Sequence, residues 1–407
     1  MLKVLHFSDA HIDIAAHGRH DPDTGLPVRV LDFLKALDQI VDAAINEKVD
    51  LVLFAGDAYK DRLPAPTFQR EWGSRIIRLS QAKIPTILLV GNHDLSPSFG
   101  RAHALQEYDT LQIPHVHVID RPQKKLSEDL DGLPVQILAI PWVSRSMFLA
   151  TLQNRDEESS DIFSKLEQRL EELIDNWLSE VDPALPTILT AHASIQGAMM
   201  GGERSVMLGN DVVLPPSLLR DPRLDYVAMG HIHKAQDINQ GKHPPVVYPG
   251  SIERVDFGEA QDDKFFVIAN IEKGQTSIEW RKLEGRRFID RFIKLTSADK
   301  VEEQLLDELG SEDVLEGAIV RLIVEYPRDL EVMIDEPLIR RKAATAFEFH
   351  FIRRPLMDAR LRLPGNQSIN EMNEQDLLAL YLKSIGVKSE EIDQLKTLAS
   401  EIIQNVD

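Results

Sequence analysis

Cysteine is absent from this 407-residue chain. The absence excludes disulfide bonds and thiolate metal sites, so any metal ion must be bound through nitrogen and oxygen donors. It also fits a protein of the reducing cytoplasm, which is where we expect this chain to act. Without disulfide bonds, stability must come from a packed core, and a chain of this length can bury a sizeable one.

Long apolar runs and an excess of positive charge are also lacking. No run approaches the roughly eighteen apolar residues that cross a bilayer, and the first residues enter a predicted strand without a cleavable signal pattern, so we expect no membrane partner. The net charge is −20, which is the wrong sign for a protein that binds nucleic acid through its own charge. If DNA is the substrate, then metal ions, a local basic patch or a partner must supply the attraction.

Apolar runs alternate with helical patterns through the first two-thirds of the chain. Strands are predicted at MLKVLHFSD, DLVLFAGD and IPTILLVGNHD, and helices at FLKALDQIVDAAINEK and FQREWGSRIIRLSQA. Further strands are predicted at VQILAIPWV, PTILTAHAS, LDYVAMGHIH, VVYPGS and FFVIANI. Interleaved strands and helices indicate an α/β layered domain, in which ligands bind beyond the carboxyl ends of the strands.

The order of elements changes near residue 285. The segments RRFIDRFIKL, ADKVEEQLLDEL, AIVRLIVEYP, DEPLIRRKAA and AFEFHFIRR predict a strand–helix–strand–helix–strand module of the α+β type. A polar connection, LPGNQSINEMNEQ, separates this module from two amphipathic helices at the end of the sequence. The sequence therefore predicts three parts, residues 1–285, 286–355 and 356–407.

Five predicted strands end in residues of the metal-ligand type. The ends read Asp9-Ala10-His11, Gly56-Asp57, Gly91-Asn92-His93-Asp94, Ala191-His192 and Gly230-His231-Ile232-His233. Each end alone has an ordinary structural explanation, such as a turn, a helix cap or a core histidine. Five such ends at one edge of a sheet indicate a site, and the small residues beside them let the backbone approach it closely.

Seven of these side chains are candidate metal ligands: Asp9, His11, Asp57, Asn92, His192, His231 and His233. Seven ligands are too many for one tetrahedral ion and suit two divalent ions bridged by a carboxylate. The donor types suit manganese, iron or zinc better than calcium. Such a pair activates water and holds a phosphate. We then expect His93 to stabilise the transition state or protonate the departing oxygen, with Asp94 orienting it.

The set DAH, GD, GNHD, H and GHIH resembles the calcineurin-like metallophosphoesterase superfamily. Within it, the chain resembles the SbcD type of nuclease, a relative of the double-strand-break repair nuclease of archaea and eukaryotes. The segments FSDAHID, AGDAYKDR, GGERSVMLGNDVVLP, GHIHKAQ and YPGSIERVDFGE carry this narrower resemblance. It implies an α/β fold in which a β-sandwich is flanked by helices, with a small α+β capping domain and C-terminal helices.

The resemblance also implies a distribution of ligands over two metal ions. One ion would take Asp9, His11, Asp57 and His233, and the other would take Asp57, Asn92, His192 and His231, with Asp57 bridging. Manganese is the expected metal, and His93 is the expected catalytic histidine. Some relatives carry a second histidine three residues after the bridging aspartate, where this chain has Lys60. Lys60 either contacts phosphate or is a surface lysine, which leaves the balance of exonuclease and endonuclease activity open.

The function that the resemblance implies is a two-metal DNA nuclease. It would act as a double-strand exonuclease and a single-strand or hairpin endonuclease in DNA end processing, repair and recombination, in a heterotetramer with an SbcC-type, SMC-like ATPase. Residues 286–355 would cap the DNA or form an accessory domain. The C-terminal helices would grip the coiled-coil base of the ATPase or pack on their own core. Helices near residues 65–80 and 98–112 would form a homodimer through the nuclease domain or be ordinary core helices.

One stretch of the acidic chain is locally basic, and it bears on DNA binding. Between residues 339 and 362 lie seven basic residues: Arg340, Arg341, Lys342, Arg353, Arg354, Arg360 and Arg362. They form either a strip that faces DNA or a solvated helix face. We expect weak DNA binding by this chain alone, with the ATPase contributing most of the affinity.

Two competing functions share parts of this pattern. A phosphoesterase for small phosphodiesters or phosphoproteins would use the same metal site but would not need residues 286–407. A non-catalytic scaffold would lose ligands or the catalytic histidine, and this chain keeps all of them.

Overall fold

The computed structural model describes residues 1–14, 18–95, 101–143, 159–199, 201, 213–356, 374–384, 387 and 389–404. The chain separates into two compact units. The first comprises Met1–Asp290 with Gly317–Ile319, and the second comprises Arg291–Glu316 with Val320–Asp407. Among the described residues, no helix is both long enough and apolar enough to cross a membrane.

The first unit contains two six-stranded sheets and one short strand pair. Its strands are β1 (Leu2–Phe7), β2 (Leu51–Phe54), β3 (Thr86–Leu89), β4 (Val116–Ile119), β5 (Gln123–Lys125), β6 (Gln136–Ile140), β7 (Thr187–His192), β8 (Ser194–Ile195), β9 (Val213–Leu214), β10 (Tyr226–Gly230), β11 (Gln236–Asp237), β12 (Val246–Tyr248), β13 (Lys264–Glu272) and β14 (Gln275–Leu283). The first sheet has the order β14-β13-β1-β2-β3-β4, the second has the order β11-β12-β10-β7-β6-β5, and β8 pairs with β9.

Parallel pairing brings the carboxyl ends of the central strands to one edge of each sheet. In the first sheet β1, β2, β3 and β4 run parallel. In the second sheet β6, β7, β10 and β12 run parallel. This is the edge at which the sequence predicts the site.

Helices cover the outer faces of the two sheets. They are α1 (Val28–Asn46), α2 (Pro66–Gln81), α3 (Gln106–Thr110), α4 (Ser159–Glu180) and α5 (Pro216–Leu219), with 3₁₀ turns at Ser127–Asp129 and Phe257–Glu259. Phe33 of α1 and Trp72 of α2 are buried in one core with Phe54 of the first sheet. Ile174 of α4 is buried in a second core with Leu189 of the second sheet.

A third core lies between the two sheets. It joins Val4 and Leu53 of the first sheet to Ile137 and Ala228 of the second. The strands are therefore buried on both faces, which is why they read as continuous apolar runs and not as an alternating pattern. The sandwich of sheets flanked by helices that the sequence predicts is confirmed.

The second unit is a smaller α+β assembly followed by two helices. Its elements are β15 (Phe288–Lys294), α6 (Val301–Leu309), α7 (Glu312–Leu315), β16 (Ile319–Pro327), a 3₁₀ turn at Arg328–Met333, α8 (Glu336–Lys342), β17 (Glu348–Leu356), α9 (Glu374–Ser384) and α10 (Ser389–Gln404), and the first residues of β15 and β16 are assigned to the first unit. The strands form a sheet with the order β15-β16-β17. This order of elements agrees with the sequence prediction. Several predicted features lie outside the described residues: most of GGERSVMLGNDVVLP, residues 98–100, most of the polar connection, Arg360 and Arg362.

Candidate metal centre and active site

The structure brings all seven candidate ligands together at one edge of the sandwich. The first sheet supplies Asp9, His11, Asp57 and Asn92, and the second supplies His192, His231 and His233. Their metal-binding atoms form two groups, Asp9 with His11 and His233, and Asp57 with His192 and His231, and the atoms of each group lie within 4.8 Å of one another. Asn92 Oδ1 lies 3.0 Å from His192 Nε2 and 3.0 Å from His231 Nδ1. Each group of three draws on both sheets.

Asp94 links the loop after β2, which carries Asp57, to the loop after β3, which carries Asn92. Its carboxylate accepts hydrogen bonds from the backbone N–H groups of Asp57, Ala58 and Gly91, each at 2.9 Å. The expected role of Asp94 in orienting His93 therefore needs correcting, because His93 Nδ1 hydrogen bonds instead to the carbonyl oxygen of Lys60 at 3.0 Å. Burial and the nearby Asp57 carboxylate raise the pKa of Asp94 to about 7.

Glycine is required beside two of the ligands. A Cβ atom on Gly91 would lie 2.1 Å from Asp57 Oδ1, and one on Gly56 would lie 2.3 Å from His192 Nδ1. Both distances are far below van der Waals contact. The small residues at these strand ends therefore allow the close approach that the sequence suggests.

Several ligands also have a backbone conformation that non-glycine residues rarely adopt. The residues with positive φ are Asp9 at 52°, His11 at 39°, Asp57 at 65° and His231 at 98°. Such conformations cost free energy and persist where the surrounding structure enforces them, which occurs often at functional sites.

The histidine rings of the first group fit a divalent cation. His11 Nδ1 lies 3.2 Å from the carbonyl oxygen of Tyr59, and His233 Nδ1 lies 2.8 Å from Glu259 Oε1. A carbonyl oxygen and a carboxylate accept hydrogen bonds, so each ring, in its neutral form, carries its proton on Nδ1. The two Nε2 atoms face each other at 3.1 Å. Two lone pairs at this distance repel each other unless a cation lies beside them, so this arrangement suits a metal ion.

The second group fits a cation for a similar reason. His192 Nδ1 lies 2.7 Å from the carbonyl oxygen of Ala55, while Nε2 lies 3.4 Å from Asp57 Oδ2. Burial alone would lower the pKa of His192, but the Asp57 carboxylate raises it to about 9. Burial alone would raise the pKa of Asp57, but His192 lowers it well below its usual range. In the metal-free protein a proton on His192 thus occupies the position where a metal ion would interact with both side chains.

His93 lies beside this centre and is only half-buried. Its backbone N–H donates to Asp57 Oδ1 at 2.8 Å, and its Nε2 atom lies 3.4 Å from the ammonium nitrogen of Lys60. Burial lowers the pKa of His93, and the charge of Lys60 acts in the same direction. Asp13 accepts the backbone N–H groups of Lys60 and Asp61, which fixes the loop that carries the lysine.

Sequence reasoning missed several residues of the site. Glu259 hydrogen bonds to a ligand histidine, and it belongs to YPGSIERVDFGE, a segment whose pattern predicts no role in the site. The half-buried Trp142 has its ring centroid 4.9 Å from that of His231. The carbonyl oxygens of Ala55 and Tyr59 hold two ligand rings, and main-chain atoms leave no signal in a sequence.

The sequence of this chain is similar to the sequences of several known proteins. The sequence profile of the calcineurin-like phosphoesterase family matches residues 2–235. The DNA double-strand break repair protein Mre11 of Archaeoglobus fulgidus is 24% identical over 330 residues, covering 78% of this chain and 67% of the relative. The SbcD component of the nuclease SbcCD of Rhodobacter capsulatus is 26% identical, covering 59% of this chain and 60% of the relative.

A third relative gives a similar result. The SbcD component of the nuclease SbcCD of Escherichia coli K12 is 25% identical over 283 residues, covering 67% of this chain and 66% of the relative. The three alignments thus span 60% to 67% of the relatives' own lengths. The alignment with the archaeal protein covers 78% of this chain, so it extends well beyond residue 235, where the family profile ends.

Proposed function

This chain belongs to the calcineurin-like phosphoesterase family and is a metal-dependent phosphoesterase, and on that premise we propose that it is a DNA nuclease that acts in DNA repair. The observation that carries the proposal is the extent of the similarity. The alignment with the archaeal repair protein covers 78% of the chain, whereas the family profile ends at residue 235. A phosphoesterase for small esters has no evident use for the remaining residues.

Two divalent ions would be held by the two groups of side chains. Asp9, His11 and His233 would hold one, and Asp57, His192 and His231 the other, with Asn92 completing the second position and Asp57 bridging. When bound, two such ions polarise a phosphoryl oxygen and lower the pKa of a coordinated water. We propose manganese as the metal, because the family resemblance implies it and because nitrogen and oxygen donors without sulfur are compatible with it.

His93 and Lys60 are the proposed substrate-contacting residues. The Nδ1–H group of His93 is held by the Lys60 carbonyl, so Nε2 is the atom that would meet the substrate. To act as the acid, the ring must first take up a second proton on Nε2; that proton would pass to the departing oxygen of the cleaved phosphodiester and leave the neutral ring with its proton on Nδ1. The Lys60 ammonium group lies 3.4 Å from the same nitrogen and would pair with a phosphate oxygen there.

We retain the three functional parts as proposals. Residues 1–285 would form the nuclease domain and its homodimer, residues 286–355 the capping domain, and residues 356–407 the region that binds an SbcC-type ATPase. Three apolar side chains of the C-terminal helices support the last assignment, because Tyr381, Leu395 and Leu398 are exposed. We propose that this complex acts in the cytoplasm, which the lack of cysteine in the chain fits.

The charges of the second unit favour weak DNA binding by the chain alone. Arg340 is 2.8 Å from Glu336, and Arg353 is 3.8 Å from the same carboxylate. Lys342 is 4.0 Å from Glu312. The basic strip is therefore partly neutralised within the described residues. In a gel-shift assay we expect weak binding that is lost as salt is added, and tight, salt-resistant binding would contradict the proposed need for a partner.

The decisive experiment supplies two substrates to the purified, manganese-loaded chain. One is a linear DNA duplex with labelled ends, and the other is bis-nitrophenyl phosphate. We expect the wild-type chain to degrade the duplex and a His93→Ala variant to lose this activity. Repeating the assay with an SbcC-type ATPase tests the partner. Turnover of the small ester with an intact duplex, both with and without the ATPase, would overturn the nuclease proposal.

A further inference from the structure

A buried ion pair lies directly behind one of the candidate ligands. Glu259 closes the 3₁₀ turn Phe257–Glu259, and Lys264 begins β13 five residues later. The two residues are 1% and 2% exposed, and Lys264 Nζ lies 2.6 Å from Glu259 Oε2. Lysine and glutamate are rarely buried so completely unless they are paired, and burying such a pair carries a desolvation cost.

The two oxygens of Glu259 have separate partners. Oε1 accepts a hydrogen bond from His233 Nδ1 at 2.8 Å. Oε2 accepts from Lys264 Nζ, from the hydroxyl of Ser251 at 3.2 Å and from the backbone N–H of Val255 at 3.0 Å. The ammonium group of Lys264 also donates to Ser251 Oγ at 2.7 Å. The carboxylate is therefore held in one orientation, with Oε1 directed at the imidazole ring.

This support differs in kind from that of two other ligand histidines. The rings of His11 and His192 are held by the backbone carbonyls of Tyr59 and Ala55. His233 is held by an anionic side chain, which fixes the proton on Nδ1 and also makes Nε2 a stronger donor to a metal ion. That Nε2 atom is the one that faces His11 Nε2 at 3.1 Å.

We propose that Glu259 is a positioning residue for the metal position formed by Asp9, His11 and His233, and that Lys264 and Ser251 hold its carboxylate in place. Glu259 is buried behind the His233 ring, so we assign it no direct contact with a substrate. It acts by presenting the Nε2 lone pair of His233 to the ion. The inference rests on the metal centre of the proposed function, but it concerns ion binding and not the choice of substrate.

The test compares ion binding to metal-free variants. Manganese is titrated into the full-length chain by calorimetry, and electron paramagnetic resonance reports whether two ions lie close enough to couple. The first variant, Glu259→Gln, removes the anion and keeps the shape. The second, Glu259→Gln with Lys264→Met, also removes the cation that would otherwise be buried without its partner. The third, Glu259→Asp, keeps the charge at a shorter reach.

For the wild type we expect two bound ions and a coupled spectrum. For the first two variants we expect one position to weaken by about 10- to 100-fold while the other changes by less than about twofold, so that the coupled signal disappears at limiting manganese. Glu259→Asp should recover part of the lost affinity. A role in stability alone would lower the melting temperature of the metal-free variants without this selective loss.

Asp225→Asn is the matched control, because it neutralises another buried carboxylate of the first unit, one whose hydrogen bonds go to residues outside the candidate ligand set. It should bind two ions with wild-type affinities. Unchanged affinities in every Glu259 variant that folds, judged by circular dichroism, would overturn the inference and leave the nuclease proposal standing. A wild-type chain that binds two ions but cleaves no DNA would overturn the nuclease proposal and leave the inference standing.

Discussion

The two ends of β10 carry buried polar side chains of opposite character. At the start of the strand, Asp225 accepts the backbone N–H groups of Thr187 at 2.7 Å and Gly274 at 2.6 Å, and the Lys273 ammonium group at 2.9 Å. Each acceptor there meets a donor. At the other end, His233 Nε2 faces another ring nitrogen, and His231 Nδ1 lies 3.0 Å from an amide oxygen. At the start of the strand the protein itself supplies the hydrogen-bond donors, whereas the arrangement at the other end suits a cation.

Burial alone does not distinguish a structural polar cluster from a functional one, whereas the hydrogen-bond partners do. Asp225 and His231 are both buried. The difference lies in the kind of partner: the Asp225 oxygens meet N–H donors, whereas the Nε2 atoms of His11 and His233, which are both acceptors when each neutral ring carries its proton on Nδ1, face one another.

The largest difference in metal content is expected between substitutions of two histidines at the candidate metal centre. His93→Ala should keep both metal positions and lower turnover by about 10²- to 10⁴-fold, because the proposed role of His93 is to contact the substrate and not to bind an ion. His231→Ala should lose metal as well as turnover. Metal content by atomic emission and rates on a phosphodiester substrate check both variants, and equal loss of metal in the two would contradict the division of roles.

A Cβ atom added beside the candidate ligands should lower both the metal affinity and the free energy of unfolding. Gly91→Ala places a Cβ atom 2.1 Å from Asp57 Oδ1, so the Asp57 carboxylate must move. We expect at least a tenfold loss of metal affinity and a loss of about 1–3 kcal/mol in the free energy of unfolding. Denaturant melts and manganese titration measure the two effects. Gly73→Ala is the control, since its nearest neighbour lies at 3.1 Å, and a similar loss of metal affinity there would contradict the explanation.

Proton competition should make metal binding depend on pH. The pKa of His192 is raised to about 9 in the metal-free protein, so below pH 9 an ion must displace a proton. Apparent affinity should therefore rise by about tenfold per pH unit between pH 7 and 9 and then level off. Calorimetry in buffers of different ionisation enthalpy counts the released protons. Binding that releases no proton at pH 7 would contradict the charged state assigned to His192.

The smallest effect on metal affinity is expected from a substitution at the start of β10. Asp225→Asn should lower the free energy of unfolding by about 1–3 kcal/mol, because backbone donors lose a charged acceptor, and should leave metal affinity within about twofold. Thermal melting and manganese titration provide the comparison. A tenfold change in metal affinity would mean that the two ends are not independent.

Much of the fold could be predicted from the sequence because its strands are buried on both faces. The run LVLF of β2 packs Leu53 between the sheets and Phe54 beneath the helices, so every position is apolar and the strand is easy to recognise. The candidate ligands follow from the same fact, since polar residues at the ends of such strands are conspicuous.

Contacts between distant segments could not be predicted. Glu259 lies 26 residues from His233, and only tertiary packing brings the two side chains together. The partners of Asp94 depend on how two loops turn, so its proximity to His93 in the sequence is a poor guide to its role. The sequence leaves two interpretations of Lys60 open, and the structure places it next to His93 while its role stays a proposal.

Each group of candidate ligands takes side chains from both layers of the sandwich: Asp9 and His11 meet His233, while Asp57 meets His192 and His231. An ion at either position would fasten one layer to the other. At a free concentration 100 times its dissociation constant, each ion would add about 2.7 kcal/mol to the stability of the folded state. The concentration of free metal would then determine both the catalytic activity and the stability of the contact between the two layers. Chelation of the metal would therefore destabilise the folded protein as well as abolish its activity.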